Sequence, residues 1–149
     1  MLVRPYTHSD KPRVLELFKL NTPENFAPSE EKDLVDYLNN HSDNYYVLKV
    51  DNKIVCCGGY NISEDPEVVR ISWDIVDPQY QGKGFGGELT LYRIEKMSEI
   101  PGVKTLSVRT SQLAYKFYEK FGFVLKEKVK DFWAPGFDMY KMDRAKEKV

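Results

Sequence analysis

Ile71-Ser-Trp-Asp-Ile-Val-Asp-Pro-Gln-Tyr-Gln-Gly-Lys-Gly-Phe-Gly-Gly-Glu-Leu89 decides how the rest of the chain is read. An apolar run to Val76 is followed by Asp77-Pro78, by a loop with glycines at 82, 84, 86 and 87, and by a segment with helical spacing. That order predicts strand, loop, helix. Glycines leave backbone N–H groups uncovered by side chains, and the first turn of a helix adds its own unpaired N–H groups and positive dipole end. The dipole alone contributes about 0.3–2 kcal/mol to a bound anion. The loop therefore has the form of a pyrophosphate site.

Three glycine loops share this outline. Gly82-x-Gly84-x-x-Gly87 satisfies the dinucleotide fingerprint, but there the first glycine ends the strand, whereas here Pro78-Gln-Tyr-Gln81 intervenes. Further βα units are also required, and only 62 residues follow Gly87. A P-loop needs Gly-Lys followed by Ser or Thr, and Lys83 is followed by Gly84. The third frame is Gln81-x-x-Gly84-x-Gly86, preceded by Val76-x-Pro78.

That frame resembles the signature loop of the GNAT superfamily, the acetyl-CoA-dependent N-acyltransferases, in which it cradles the pyrophosphate of coenzyme A. A second stretch, Ala114-Tyr-Lys-Phe117-Tyr118-Glu-Lys-Phe-Gly122-Phe123, resembles the family's other motif. Both lie in the family's order and at about its separation, so the resemblance spans most of the chain. It implies acetyl-CoA as cosubstrate and Gln81, Gly82, Lys83, Gly84, Phe85, Gly86 and Gly87 as its cradle. It also implies Val76 as the backbone partner of the pantetheine arm. Ser111 stands where members often carry Asn, three residues before the motif's Ala; it is a shorter cofactor contact or a helix cap.

At 149 residues with no repeat or linker, residues 1–149 read as one domain with a sizeable core. A net charge of −1 gives no bulk electrostatic case for nucleic acid or a membrane surface. No long apolar run or signal-peptide core is present, and the expected location is cytoplasmic. Cys56 and Cys57 are adjacent in an apolar run, so they should face opposite sides of a strand as reduced thiols. His8 and His41 lack metal-ligand spacing, and no metal is expected.

Residues 2–6 read as a strand, and Ser9 or Asp10 caps a helix with inner residues Val14, Leu17 and Phe18. After a break at 21–28, Ser29 caps a second helix with inner face Leu34, Val35 and Leu38. Residues 45–50 and 53–60 form a hairpin through Asp51-Asn52, and 67–76 adds a third strand. A helix follows with Phe85, Leu89 and Tyr92 inward, widened by Leu91, Ile94 and Met97. Residues 103–108 form a strand that the crossover rule makes parallel. The helix of Ala114, Phe117, Tyr118 and Phe121 ends at Gly122, and 124–130 with 137–142 form a last hairpin, with a frayed tail from Asp143. The fold class is α/β (α+β): a mixed central sheet of about seven strands flanked by four helices, an antiparallel meander followed by a parallel strand-helix-strand unit. This is the element order of the GNAT fold, in which the fourth and fifth strands splay around the pantetheine.

An alkylamine is protonated at neutral pH, and making it nucleophilic costs about 4.6 kcal/mol for a gap of roughly 3.4 pKa units. The site must remove a proton, stabilise an oxyanion and protonate the leaving thiolate. By resemblance Tyr118 is the general acid near the sulfur; its structural reading is a core aromatic. Asp74 interrupts an apolar strand on the face expected for Ser72 and Val76. It must either pair with an Arg or Lys or act as a base through water.

By the same resemblance the helix–helix loop walls the acceptor pocket, which makes Phe26 a candidate substrate-binding residue, with Trp73 and Trp133 as two more. Together with Phe132 they can wall a cationic or aromatic amine, or they pack structurally. Phe132 and Trp133 lack the hydroxyls that protein N-terminal acetyltransferases place there, which favours a small-molecule amine over a peptide amine. Chains of this fold associate, so a homodimer is allowed, and no apolar stripe names its interface. Two other readings stand beside the main one: an acyl-CoA-binding module without catalysis, and a nicotinamide-cofactor enzyme using Gly82, Gly84, Gly87 and Arg109.

Overall fold

A computed structural model describes residues 1–147. The strands are β1 (Leu2–Pro5), β2 (Tyr45–Val50), β3 (Lys53–Ile62), β4 (Val68–Val76), β5 (Thr105–Thr110), β6 (Val124–Ala134) and β7 (Phe137–Ala145). The α-helices among the described residues are α1 (Lys11–Leu20), α2 (Glu31–Asn40), α3 (Phe85–Ser98) and α4 (Tyr115–Glu119). One seven-stranded sheet has the order β1-β2-β3-β4-β5-β7-β6. Pairs β1–β2, β2–β3, β5–β7 and β6–β7 are antiparallel, and β4–β5 is parallel. The predicted mixed sheet with four helices is the one found.

Contacts divide the chain into two compact units, Met1–Tyr60 with Ser72–Arg93, and Asn61–Ile71 with the chain from Ile94 onward. In the first unit Val14, Leu17 and Phe18 of α1 and Leu34, Tyr37 and Leu38 of α2 bury against Val47, Ile54, Cys57 and Ile75. Val35 was expected inward and is only half-buried. The i, i+3, i+4 stripe from Leu34 passes through Tyr37 instead. Asp51 and Asn52 turn the β2–β3 hairpin with φ of +50° and +64°, the left-handed pair such a two-residue turn requires.

Asp10 precedes α1 and fixes its start. Its carboxylate accepts two 2.8 Å bonds from the Arg4 guanidinium and one of 2.9 Å from the Thr7 N–H. At α2 the cap position belongs to Glu30, whose carboxylate accepts from the Ala27 N–H at 2.8 Å, and not to Ser29. The Arg4 guanidinium, outweighing burial, holds the Asp10 carboxyl below its ordinary range. A depressed pKa stabilises the fold fully above the unfolded value, about 3.9, and loses that contribution as pH falls through the folded value. Asp10→Asn should therefore cost about 1–2 kcal/mol near neutrality. Urea melts across pH should show the gap between the two proteins closing as the solution becomes acidic.

In the second unit the parallel ladder runs from Val68↔Thr105 to Ile71↔Val108, and β7 pairs with both β5 and β6. α4 is shorter than expected. Ala114 is exposed at its cap position, and the chain turns out of the helix at Gly122 with φ +87°. The expected fraying from Asp143 is corrected: Asp143, Arg144 and Ala145 pair with Ser107, Leu106 and Thr105. The mixed charges hid a strand whose alternate residue Met142 is fully buried. The end of the tail, 148–149, lies outside the described residues.

Candidate active site

β4 ends at Val76, and Asp77 turns the chain by accepting from the Gln79 N–H at 3.0 Å. Arg13 of α1 braces this turn, donating to Asp77 Oδ2 and to the Ile54 carbonyl, each at 3.0 Å. Gln81, Gly82, Lys83 and Gly84 follow as an exposed loop, with φ of +76° at Gly82 and +89° at Gly84. A Cβ built at either glycine meets nothing within 4 Å, so the loop borders open space. The Glu88 N–H closes the first turn of α3 on the Gly84 carbonyl at 3.0 Å. This leaves the N–H groups of Phe85, Gly86 and Gly87 without intrahelical acceptors, at the positive end of a 14-residue helix. The cradle fits a pyrophosphate.

Lys83 lies over the Tyr80 ring at 5.2 Å from its centroid, and Tyr80 packs against Phe85. Gln81 points its amide at Asn21 Oδ1, 3.5 Å away. The buried Asn21 does more than break the helix. It is the tie that links α1 to β4, donating to the Leu17 carbonyl at 2.8 Å and the Val76 carbonyl at 2.9 Å. One lone pair of the Val76 carbonyl is thus engaged. In the sequence the only signal of this tie is an Asn placed directly after the Val14, Leu17 and Phe18 stripe of α1.

Asp74 is where alternation fails. Trp73 adopts φ +48°, a left-handed backbone costing about 1–3 kcal/mol for a bulky residue. The Tyr45 hydroxyl holds it by donating to its carbonyl at 2.7 Å. The irregularity separates the faces that strict alternation joins: Ser72 hydrogen-bonds Tyr37 of α2, while Asp74 meets Arg93 of α3. Asp74 and Ser72 therefore do not share a face. The Arg93 side chain is 1% exposed and that of Asp74 20%, with 2.5 Å between them.

Arg93 also donates to the carbonyls of Gly59 and Leu89 and reaches Thr90 Oγ1. Gly58 makes room for the pair, since a methyl group there would overlap Asp74 Oδ1 and Arg93 Nη1. The inner stripe of α3 is Leu89, Arg93 and Met97. Leu91, expected on it, is 55% exposed because it falls on the opposite side. An Arg at the i+4 position between two buried apolar residues was the sign of the cation that Asp74 demanded.

Phe26 and Trp73 are brought together. Phe26 stacks on Phe18 at 5.5 Å, and its ring centroid is 5.9 Å from that of Trp73. In the second unit Trp133 donates from Nε1 to the Thr110 carbonyl at 3.1 Å and meets Phe132 edge-on at 4.8 Å. Ser111 caps the approach to α4, its Oγ accepting from the Leu113 N–H at 3.1 Å. Tyr118 is 5% exposed, edge-on to Phe117 and Phe123.

Cys56 and Cys57 are free and buried, and they face opposite sides as alternation requires. Cys57 joins the α1/α2 core, and Cys56 approaches the Phe85 carbonyl of α3. Burial pushes the Cys57 thiol up to about 12 and Cys56 higher still, so neither offers a thiolate near neutral pH.

The chain belongs to the acetyltransferase (GNAT) family, whose family model matches residues 11–123. It is accordingly an enzyme of the acyl-CoA N-acyltransferase class. Among solved structures it is similar to Ard1 from Thermoplasma volcanium, with a TM-score of 0.82, 17% identity and coverage of 99% of this chain and 98% of that one. It is similar to the ribosomal-protein-S18-alanine N-acetyltransferase from Escherichia coli, with a TM-score of 0.79, 18% identity and coverage of 99% and 95%. An aminoglycoside 6′-N-acetyltransferase complexed with coenzyme A gives 0.79, 13% identity and coverage of 100% and 99%. At these identities the likeness is one of fold. No curated protein matches the chain in sequence. Among the described residues no helix is long and apolar enough to cross a membrane.

Proposed function

We propose that the enzyme moves the acetyl group of acetyl-CoA to a primary amine by direct attack in a ternary complex, with a small-molecule amine as the preferred acceptor. The observation that carries this reading is the open glycine cradle at the N-terminus of α3. It supplies N–H donors and a positive dipole end to a pyrophosphate, with Gln81 and Lys83 at its rim. The Val76 backbone pairs with the pantetheine arm as a partner strand would, and Ser111 contributes at the start of the second motif.

N–H groups beside Trp73, where left-handed φ interrupts the strand, stabilise the oxyanion. Tyr118 gives its proton to the leaving thiolate, and Asp74, held by Arg93, takes one from the ammonium through water. The protonated state of both cysteines favours direct transfer over an acyl-cysteine route. For the acceptor, the Phe26–Trp73 pair supplies an aromatic surface worth about 0.5–2 kcal/mol to a cation, and Trp133 is its proposed counterpart on the last hairpin. The named activities of similar structures include both aminoglycoside and protein amines, so a peptide amine is the competing acceptor. A panel of amines and peptides separates the two, and turnover confined to peptides would sink the small-molecule preference.

Thermal melts with acetyl-CoA, coenzyme A, NADP and ATP test the cofactor. Saturation at a hundred times the dissociation constant adds about 2.7 kcal/mol, a rise on the order of 5–10 °C at this size. Acetyl-CoA and coenzyme A should give it, and NADP should not. In Gly84→Val the rise should disappear, because a side chain would enter the open cradle. A rise with NADP alone would show that the loop belongs to the dinucleotide frame.

A further inference from the structure

Among the described residues four that are not glycine have a left-handed backbone: Asp51, Asn52, Asp131 and Trp73. Asp and Asn reach that region readily, whereas a bulky aromatic does so only where its surroundings impose it. Trp73 therefore marks a place where a group outside β4 holds the strand.

That group is the Tyr45 hydroxyl. Tyr45 stands on β2 opposite Gly59 of β3, and β3 lies between β2 and β4 in the sheet. From the face that packs α1 and α2, its side chain reaches past β3 and donates to the Trp73 carbonyl at 2.7 Å. Gly59 clears the way, since a Cβ there would lie 2.7 Å from Tyr45 Cδ1 and 2.9 Å from its Cα. The ring is 1% exposed and is met edge-on by Tyr6 at 5.6 Å and Tyr37 at 5.4 Å. Burial pushes the phenol well above its ordinary pKa, so the hydroxyl keeps its proton and remains a donor. A trans peptide is planar, with its C=O and N–H pointing in opposite directions. The Trp73 carbonyl shares such a plane with the Asp74 N–H. Anchoring the carbonyl on Tyr45 therefore aims that N–H away from the α1/α2 core.

We propose that Tyr45 is a positioning residue for acetyl transfer: its hydroxyl holds Trp73 left-handed and so keeps the N–H groups beside it directed at the thioester oxyanion. The role toward the reaction rests on the acetyl-transfer reading; the hold on the backbone does not. All the groups involved lie in the first unit.

The first arm of the test reads the backbone without activity. The Cα and Cβ chemical shifts of Trp73 distinguish left-handed from extended backbone, and in Tyr45→Phe they should move toward the extended values. Unmoved shifts would overturn the hold. The second arm reads kcat at saturating acetyl-CoA and amine. Tyr45→Phe should lower it about 10- to 100-fold, the range for a displaced oxyanion donor, with KM for acetyl-CoA within about twofold of wild type. In a Trp73→Gly background the same substitution should lower kcat by no more than about threefold, because glycine adopts positive φ without being held. Equal losses in the two backgrounds, or an unchanged kcat in Tyr45→Phe, would remove the positioning role. Moved shifts in a protein that acetylates no amine would count against acetyl transfer, and with it against the positioning role, and would leave the hold on the backbone standing.

Discussion

Replacing Tyr118 with Phe is expected to lower kcat by about 10²- to 10⁴-fold, the range for a lost general acid, while leaving the acetyl-CoA-dependent rise in melting temperature intact. The substitution removes one oxygen and keeps the ring. The ring is what packs, edge-on to Phe117 at 5.1 Å and to Phe123 at 6.0 Å. The backbone is untouched: the Tyr118 carbonyl still accepts from the Phe121 and Phe123 N–H groups that close the turn at Gly122. Cofactor binding should therefore stay close to wild type, and the loss of activity should fall on the chemical step. Single-turnover kinetics at saturating acetyl-CoA isolate that step. A thioester with a better leaving group should recover much of the loss, because a more stable thiolate needs less protonation. Unchanged turnover would return Tyr118 to the core as an aromatic.

How much of this was legible beforehand follows from the range of the interactions. The glycine loop is local chemistry, since a strand end, left-handed positions and a helix start are all encoded within a few residues. Gly82 and Gly84 have the positive φ that the pattern required. The Asp51-Asn52 turn and Gly122 were readable for the same reason. Asn21 and Arg93 were not, because their partners, the Val76 carbonyl and Asp74, lie far away in sequence. The strict alternation assumed for β4 failed at Trp73, a left-handed residue with a side chain that no propensity rule places there. It is held by a tyrosine hydroxyl from another strand. Local rules located the cradle, and tertiary contacts decided where Asp74 points.

The Arg93–Asp74 pair gives the largest expected effect on stability, and the sign of that effect depends on how it is broken. Arg93→Met leaves the Asp74 carboxylate without its buried counter-ion and removes the donor to the Gly59 carbonyl, so a loss of about 3–5 kcal/mol is expected. At this size that is a fall on the order of 6–20 °C in melting temperature. Asp74→Leu alone strands a guanidinium that is 1% exposed and should cost a similar amount. The double variant should be nearer wild type than either single one, because two apolar side chains can fill the volume with no charge left to desolvate. Additive losses would mean that the two residues act independently. Asp74→Asn separates position from proton: the amide keeps the shape and accepts from Arg93 through its oxygen, but it cannot take a proton. If Asp74 is the base, the acidic limb of the kcat/KM profile should move in this variant while the melt changes little beyond the lost charge pair. An unmoved profile would leave Asp74 as the counter-ion of Arg93, with a water chain alone carrying the ammonium proton to solvent.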